Sequence, residues 1–159
     1  MGIINVGIAD LNIARSPDVL ATYALGSCVG ICLYDDRIKL AGLAHIMLPW
    51  SSESSTPGDN MWRYADTGIT ELISRMCRNG SSKNKLTAKI AGGAQMFQAR
   101  SSVFNIGERN VEAVKKVLQT YGIPIIAEET GKNFGRTVFF YSETGLMEIR
   151  ASAKPTKTV

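Results

Sequence analysis

The sequence predicts a single α+β domain, rich in antiparallel strands and with helices packed on one side of the β structure. Two observations predict this class. Short apolar runs separated by turn-like residues fill the first third of the chain, and two amphipathic helical patterns appear only later. The chain has 159 residues, of which 45% are hydrophobic and 20% charged, and this composition excludes intrinsic disorder. We therefore expect one domain over residues 1–159.

Apolar runs bounded by turn residues predict the strands. Segments such as Ser16-Pro17-Asp18 and Asp35-Asp36-Arg37 separate the early runs, and Glu143-Thr144-Gly145 separates the last two. Neighbouring runs joined by such short turns favour hairpins, and hence antiparallel pairing. The predicted strands cover residues 3–9, 19–25, 29–34, 38–48, 86–91, 125–130, 136–142 and 146–152.

Apolar residues spaced about 3.6 positions apart predict two helices. The first begins near Tyr64 and ends before Asn79-Gly80, a typical C-terminal stop. The second covers residues 108–121 and is closed by Gly122 and Pro124. The amide side chains in residues 105–110 are typical of helix capping, which is the role we expect for them.

The net charge of +4 comes largely from the end of the chain. The last ten residues carry three basic and no acidic side chains, so we expect a flexible basic tail from about residue 151 and no nucleic-acid binding. Six basic and no acidic residues lie between Glu71 and Glu108, which is typical of a solvated surface or, alternatively, of a site for an acidic partner. The longest uncharged run, residues 19–34, is too short to cross a membrane as a helix. We therefore expect no membrane insertion.

Three cysteines, an odd number without zinc-ligand spacing, predict reduced thiols in a cytoplasmic protein with no metal and no cofactor. Cys28 and Cys32 are too far apart along one strand to form a disulfide. We interpret Cys32 as a packing residue and Cys77 as packing or incidental. Cys28 is the candidate reactive thiol.

The one histidine, His45, falls near the end of a predicted strand. If the preceding hairpin loop is centred on Asp36-Arg37, Cys28 lies directly opposite His45, with Cβ atoms about 4.5–5.5 Å apart. This register predicts a Cys-His dyad. A lone histidine is also typical of ordinary packing, and an odd loop length would place His45 on the other face of the sheet.

A thiol beside an imidazole suits nucleophilic catalysis. His45 would take the proton of Cys28, creating the attacking thiolate, and would later return a proton to the leaving group. The turn containing Ser27 would present backbone N–H groups to the developing oxyanion. The glycine-rich segment 91–97 offers Met96 and Phe97 as groove residues, the alternative being a strand-ending turn with both side chains in the core.

Several blocks in chain order resemble the CheD family of chemoreceptor glutamine deamidases. The resemblance covers most of the chain and is least informative over residues 51–62 and after residue 150. The blocks are ALGSCV (24–29), AHIMLP (44–49), YADT (64–67), KIAGGA (89–94), NIG (105–107) and RNVEAV (109–114).

The resemblance implies a three-layered α/β sandwich related to bacterial toxins that deamidate glutamine. The family's catalytic cysteine, histidine and threonine match Cys28, His45 and Thr22. A threonine hydroxyl can hydrogen-bond the far imidazole nitrogen and fix the orientation of the ring.

The implied activity is conversion of selected glutamines of methyl-accepting chemotaxis receptors to glutamate, with ammonia released through a thioester. Hydrolysis of glutamate methyl esters and pairing with the CheC phosphatase are implied as well. The alternative is a mainly non-catalytic binding module that regulates the phosphatase. A cysteine protease is less favoured, because nothing indicates pockets for an extended peptide.

Overall fold

The computed structural model describes residues 1–56, 58–96 and 105–159. These residues form ten strands and two α-helices. In chain order the elements are β1 (Ile3–Asn5), β2 (Leu11–Arg15), β3 (Val19–Leu25), β4 (Val29–Asp35), β5 (Leu40–Ile46), α1 (Ala65–Arg78), β6 (Thr87–Gly92), α2 (Ile106–Thr120), β7 (Ile125–Thr130), β8 (Arg136–Tyr141), β9 (Met147–Arg150) and β10 (Lys157–Thr158).

The strands form two five-stranded sheets. The central sheet has the order β2-β5-β4-β6-β7 and the outer sheet the order β1-β3-β8-β9-β10. Among the described strands six pairings are antiparallel and two, β1–β3 and β6–β7, are parallel. The predicted α+β class with antiparallel-rich layers is confirmed.

Two apolar cores separate three layers. Both helices pack on the face of the central sheet that points away from the outer sheet, where Ile31 of β4 joins Leu72 and Leu118 of the helices. The second core lies between the two sheets and contains Leu43 and Phe140. Because the central sheet is covered on both faces, every residue of β4 and β5 is buried, which explains their nearly continuous apolar runs.

Helix α1 packs closely on β5. A Cβ atom at Gly42 of β5 would lie 2.7 Å from Met76 Sδ and 2.9 Å from a methyl carbon of Leu72, so any larger residue there would force these two helix side chains to shift. The predicted helices are confirmed, although α2 starts at Ile106 rather than residue 108. No helix in the described ranges is long and apolar enough to cross a membrane.

The sequence missed two strands. β2 pairs with β5, and the short β10 pairs with β9. The expected tail was flexible from about residue 151, whereas the structure places Val159 against the inter-sheet core and joins Lys157 Nζ to Glu129 at 2.8 Å.

The predicted register of the β4–β5 hairpin is wrong by two residues. Asp35 pairs with Leu40, so the loop contains the four residues 36–39 rather than being centred on Asp36-Arg37. The buried Asp35 carboxylate builds this turn, because it accepts hydrogen bonds from the backbone and side chain of Arg37 and from Ser81 Oγ. The even shift keeps each β5 side chain on its expected face.

Candidate active site

Cys28 and His45 lie at the same end of the β4–β5 hairpin and face the outer sheet. In the observed register Gly30, not Cys28, is directly opposite His45. Cys28 immediately precedes β4 and packs against the inter-sheet core. The two side chains are therefore diagonal neighbours on one face of the sheet. The prediction that they lie directly opposite each other is wrong.

His45 is hydrogen-bonded across the sandwich to Thr22 of β3. Thr22 Oγ1 lies 2.7 Å from His45 Nδ1 and donates to the carbonyl oxygen of Val6 at 2.7 Å. A hydroxyl has a single proton to donate. Because that proton points to Val6, Thr22 must accept from Nδ1–H, which leaves Nε2 of the neutral ring as an acceptor.

The other imidazole nitrogen is left unpartnered. His45 is fully buried, and Nε2 has no hydrogen-bond partner among the described residues. Burial lowers the pKa of His45 from 6.5 to about 4, so the ring is neutral near pH 7. A neutral imidazole with Nε2 as acceptor has the form that a general base requires.

Cys28 is partly exposed, and its thiol is also neutral at rest. Burial raises its pKa, and its own backbone N–H opposes this effect in part. No hydrogen bond joins Cys28 to His45 within the described part of the chain. Ser27 N and Cys28 N donate to no backbone or side-chain oxygen of the described residues, so no such oxygen competes with a ligand for either amide.

The glycine-rich segment supports the backbone around Cys28. Gly93 N donates to Cys28 O at 2.8 Å, and Ala94 N donates to Gly26 O at 2.8 Å. A Cβ atom at Gly92, where φ is +105°, would lie 2.3 Å from Cys28 O. Gly92 is thus explained by close approach to the Cys28 segment, whereas a Cβ atom at Gly93 would lie 2.3 Å from a methyl carbon of Val111 of α2.

The predicted groove residues have different surroundings. Met96 is 47% exposed, which contradicts core packing, and its Cγ would lie 3.3 Å from a Cβ atom at Gly26. It therefore lies beside the turn that leads to Ser27 and Cys28. Phe97 lies outside the described residues.

Asn110 of α2 is a residue at this site that the sequence reasoning missed. It was expected to serve in helix capping, but its side chain is buried and donates to the carbonyl oxygens of Ser27 and Met47, both at 2.9 Å. Asn105, the residue before α2, makes no side-chain cap hydrogen bond. The signal that could have found Asn110 is its position on the apolar face of the helical pattern.

The remaining candidates do not join the site. Cys32 is buried with its sulfur 3.7 Å from Met147 Sδ, and Cys77 is exposed on α1. Within the described ranges no three His, Cys, Asp or Glu side chains are grouped so as to hold a metal ion. Two side chains of the basic stretch are engaged within the fold: Arg78 pairs with Glu71, and Lys89 Nζ binds carbonyl oxygens of residues 145 and 159.

The fold and the site define a class: a two-sheet sandwich that holds a thiol beside a buried, hydroxyl-bonded imidazole. The family model described as CheD chemotactic sensory transduction matches residues 47–151. A Bacillus licheniformis protein named chemoreceptor glutamine deamidase CheD is 45% identical over 159 residues, covering 99% of this chain and 95% of the relative. The chain belongs to the CheD family.

Two further relatives have the name probable chemoreceptor glutamine deamidase CheD. The one from Caldanaerobacter subterraneus is 52% identical, covering 93% of this chain and 92% of the relative. The one from Lachnoclostridium phytofermentans is 46% identical and covers 98% of both chains. Thr22, Cys28 and His45 precede the residues that the family model matches.

Two solved structures share the fold at low sequence identity. The Bacillus licheniformis hypothetical protein YfiH matches with a TM-score of 0.50 and 18% identity, over 78% of this chain and 51% of that chain. A Neisseria meningitidis protein of the DUF152 family matches with a TM-score of 0.52 and 10% identity, over 83% and 64%. The chain thus corresponds to only part of each structure, and the likeness concerns the fold alone.

Proposed function

We propose that this protein is a chemoreceptor glutamine deamidase in which Cys28 is the nucleophile, His45 the general base and acid, and Thr22 the residue that orients His45. The names of the relatives support the substrate class. The observation that carries the assignment is the hydrogen-bonded series Val6–Thr22–His45, which leaves Nε2 as a proton acceptor on the face that carries Cys28.

The first half-reaction forms a thioester. His45 Nε2 takes the Cys28 proton while the sulfur attacks the carboxamide carbon of a receptor glutamine. The N–H groups of Ser27 and Cys28 stabilise the oxyanion. The carbon–nitrogen bond then breaks as Nε2–H gives its proton to the amine, and ammonia leaves.

The second half-reaction restores the enzyme. A water molecule, deprotonated by His45 Nε2, attacks the thioester carbon, and the carbon–sulfur bond breaks. The sulfur regains a proton from His45, and the receptor side chain leaves as glutamate. Cys28 and His45 lack a direct hydrogen bond before substrate binds, and such catalytic contacts often tighten only in the complex.

The alternative, a binding module without catalysis, does not explain the buried imidazole. A buried polar atom without a partner costs stability, and a pure adaptor gains nothing from it. Burial of His45 with a free Nε2 therefore favours the enzyme.

The test is conversion of glutamine to glutamate in a co-expressed receptor, followed by mass spectrometry of receptor peptides. Cys28→Ala is expected to abolish conversion and to keep the fold, because the side chain is small and partly exposed. Cys32→Ala, which removes a buried thiol four residues further along the chain, is the matched control and should remain active. Equal loss in both variants, or full conversion by Cys28→Ala, would contradict the assignment.

The proposal includes binding of a CheC-type phosphatase, the partner that the family resemblance implies. Cys28→Ala should still bind it, because recognition needs no thiolate. A phosphatase that shares the receptor-binding surface will suppress deamidation when it is titrated into the assay. Full activity at saturating phosphatase would instead indicate a separate surface.

A further inference from the structure

Asn110 sits where the β4–β5 ladder ends. The last pair of that ladder is Val29 with Ile46, and Met47 N already donates to Arg63 O instead of continuing the pairing. The side chain of Asn110 reaches in from α2 and binds Ser27 O and Met47 O. One amide group thus links the residue before Cys28 to the residue two positions after His45.

The orientation of the Asn110 amide is fixed by its neighbours. Both contacts are carbonyl oxygens, so the nitrogen must point at them, and the reversed amide would place an oxygen against two oxygens. Asn110 is 0% exposed, and its Oδ1 has no hydrogen-bond partner among the described residues. A buried acceptor without a partner costs stability, which indicates a role other than stabilising the fold.

The bond to Ser27 O acts on the nucleophile through a single peptide group. Ser27 C=O and Cys28 N–H belong to the same planar trans peptide, so they point in opposite directions. Holding the carbonyl oxygen toward α2 therefore aims the Cys28 N–H away from α2. The peptide group between Gly26 and Ser27 is held in the same manner. Ala94 N donates to Gly26 O, and the Ser27 N–H, on the other side of that peptide, therefore points the opposite way.

We propose that Asn110 is a positioning residue that aims the Cys28 N–H at the oxyanion and keeps the Cys28 and His45 segments in register. It touches neither substrate nor reacting atoms. Its effect on turnover rests on the proposed deamidase function, whereas its effect on the Cys28 amide can be measured without any substrate.

The experiment compares wild type with Asn110→Ala and with Asn110→Asp, which keeps the shape of the side chain but replaces both donors by an acceptor. Deamidation should show a kcat reduced by roughly 10- to 100-fold with KM changed by less than about threefold, because an oxyanion donor is misaligned rather than removed. A change confined to KM would overturn the proposal.

The second readout is alkylation of Cys28 by iodoacetamide as a function of pH, in a Cys32→Ala/Cys77→Ala background. The Cys28 amide lowers the pKa of its own thiol, so misaiming it should move the inflection to higher pH. Val117→Ala, a buried truncation on the same helix, is the control for general loosening and should leave the inflection in place. An inflection that is unchanged or lower in both Asn110 variants overturns the proposal.

The two readouts separate this inference from the proposed function. A wild-type protein that fails to deamidate receptors would overturn the proposed function, and the alkylation profile would still decide the role of Asn110. Circular dichroism and thermal unfolding identify any Asn110 variant that does not fold. Asn110→Ser, a smaller change that keeps one donor, then serves in both measurements.

Discussion

Strand β4 starts beside Cys28 and ends at Asp35, and its two ends hold buried titratable groups in opposite ways. At the Asp35 end the carboxylate is surrounded by donors, with Arg37 Nη2 at 2.7 Å and Ser81 Oγ at 2.6 Å. Burial acts to raise the pKa of Asp35, but these hydrogen bonds outweigh it and the pKa falls. At the other end, Cys28 and the adjacent His45 are both neutral, and His45 Nε2 has no partner in the described part of the chain.

The buried groups at the two ends of β4 therefore have different roles, one structural and one suited to proton transfer. A fully partnered charge fixes a turn and has no proton to exchange near neutral pH. An imidazole that is bonded on one nitrogen and free on the other is ready to accept a proton. The state of the partners, rather than burial itself, distinguishes the two ends.

The largest expected effect is on turnover, after removal of the unpartnered His45 Nε2. His45→Ala should lower the turnover of receptor deamidation by roughly 10² to 10⁴, the usual range for loss of a positioned general base. Asp35→Asn at the other end of the strand should leave turnover within about threefold of wild type while lowering the melting temperature. Steady-state assays of ammonia release measure both, and comparable losses of turnover would show that the two ends do not differ in function.

The next effect is the pH dependence of stability. The folded pKa of His45, about 4, is below its unfolded value of 6.5. Between these two pH values the unfolded chain therefore binds a proton at His45 that the folded protein does not bind. Stability is complete above pH 6.5 and should fall by about 3 kcal/mol as the pH drops toward 4. Urea unfolding of wild type and His45→Gln at several pH values isolates this loss, which should be absent in the variant.

Asp35 titrates in a separate window, which provides the control for that measurement. Its folded pKa is below the ordinary 3.8, so its contribution is present above pH 3.8 and is lost as the pH falls through the lower folded value. Asp35→Asn should therefore leave the pH 4–6.5 slope as in wild type. If Asp35→Asn changed the pH dependence of the free energy of unfolding in that range, the acid sensitivity would come from Asp35 and not from His45.

The smallest expected effect concerns Thr22. Thr22→Val keeps the shape of the side chain but removes the hydroxyl that joins His45 to Val6, and it should reduce kcat by about tenfold. Thr22→Ser restores the hydroxyl and should recover most of the activity. A Val variant as active as the Ser variant would show that ring orientation does not depend on this bond.

The sequence predicted the fold class, both helices and most strands because their periodicity is strong. It missed β2 because Leu11–Arg15 is short and mixes polar with apolar residues. It missed β10 because two polar residues show no strand pattern, and their pairing with β9 is set by tertiary contacts. The hairpin register was wrong because Asp35, rather than the residue pair after it, builds the turn.

The candidate site was predictable only in part. Turn and strand patterns placed Cys28 and His45 on one face of a hairpin, whereas Thr22 was identified by resemblance alone. Its bond to His45 crosses between sheets, and no local pattern encodes such a contact. Asn110 was interpreted as part of a helix cap, because helix-start composition gives no information about a side chain that reaches into another layer.

The Thr22–His45 bond between the sheets also bears on biosynthesis. Cys28, His45 and Thr22 all leave the ribosome early, but β3 lies between β1 and β8 in the outer sheet, and β8 is synthesised late. At roughly 5–20 residues per second, several seconds separate synthesis of His45 from that of Arg136, where β8 begins. The nascent chain therefore exposes a thiol with no positioned imidazole beside it during elongation, and the Thr22–His45 bond is held in place only when the C-terminal strands close the sandwich.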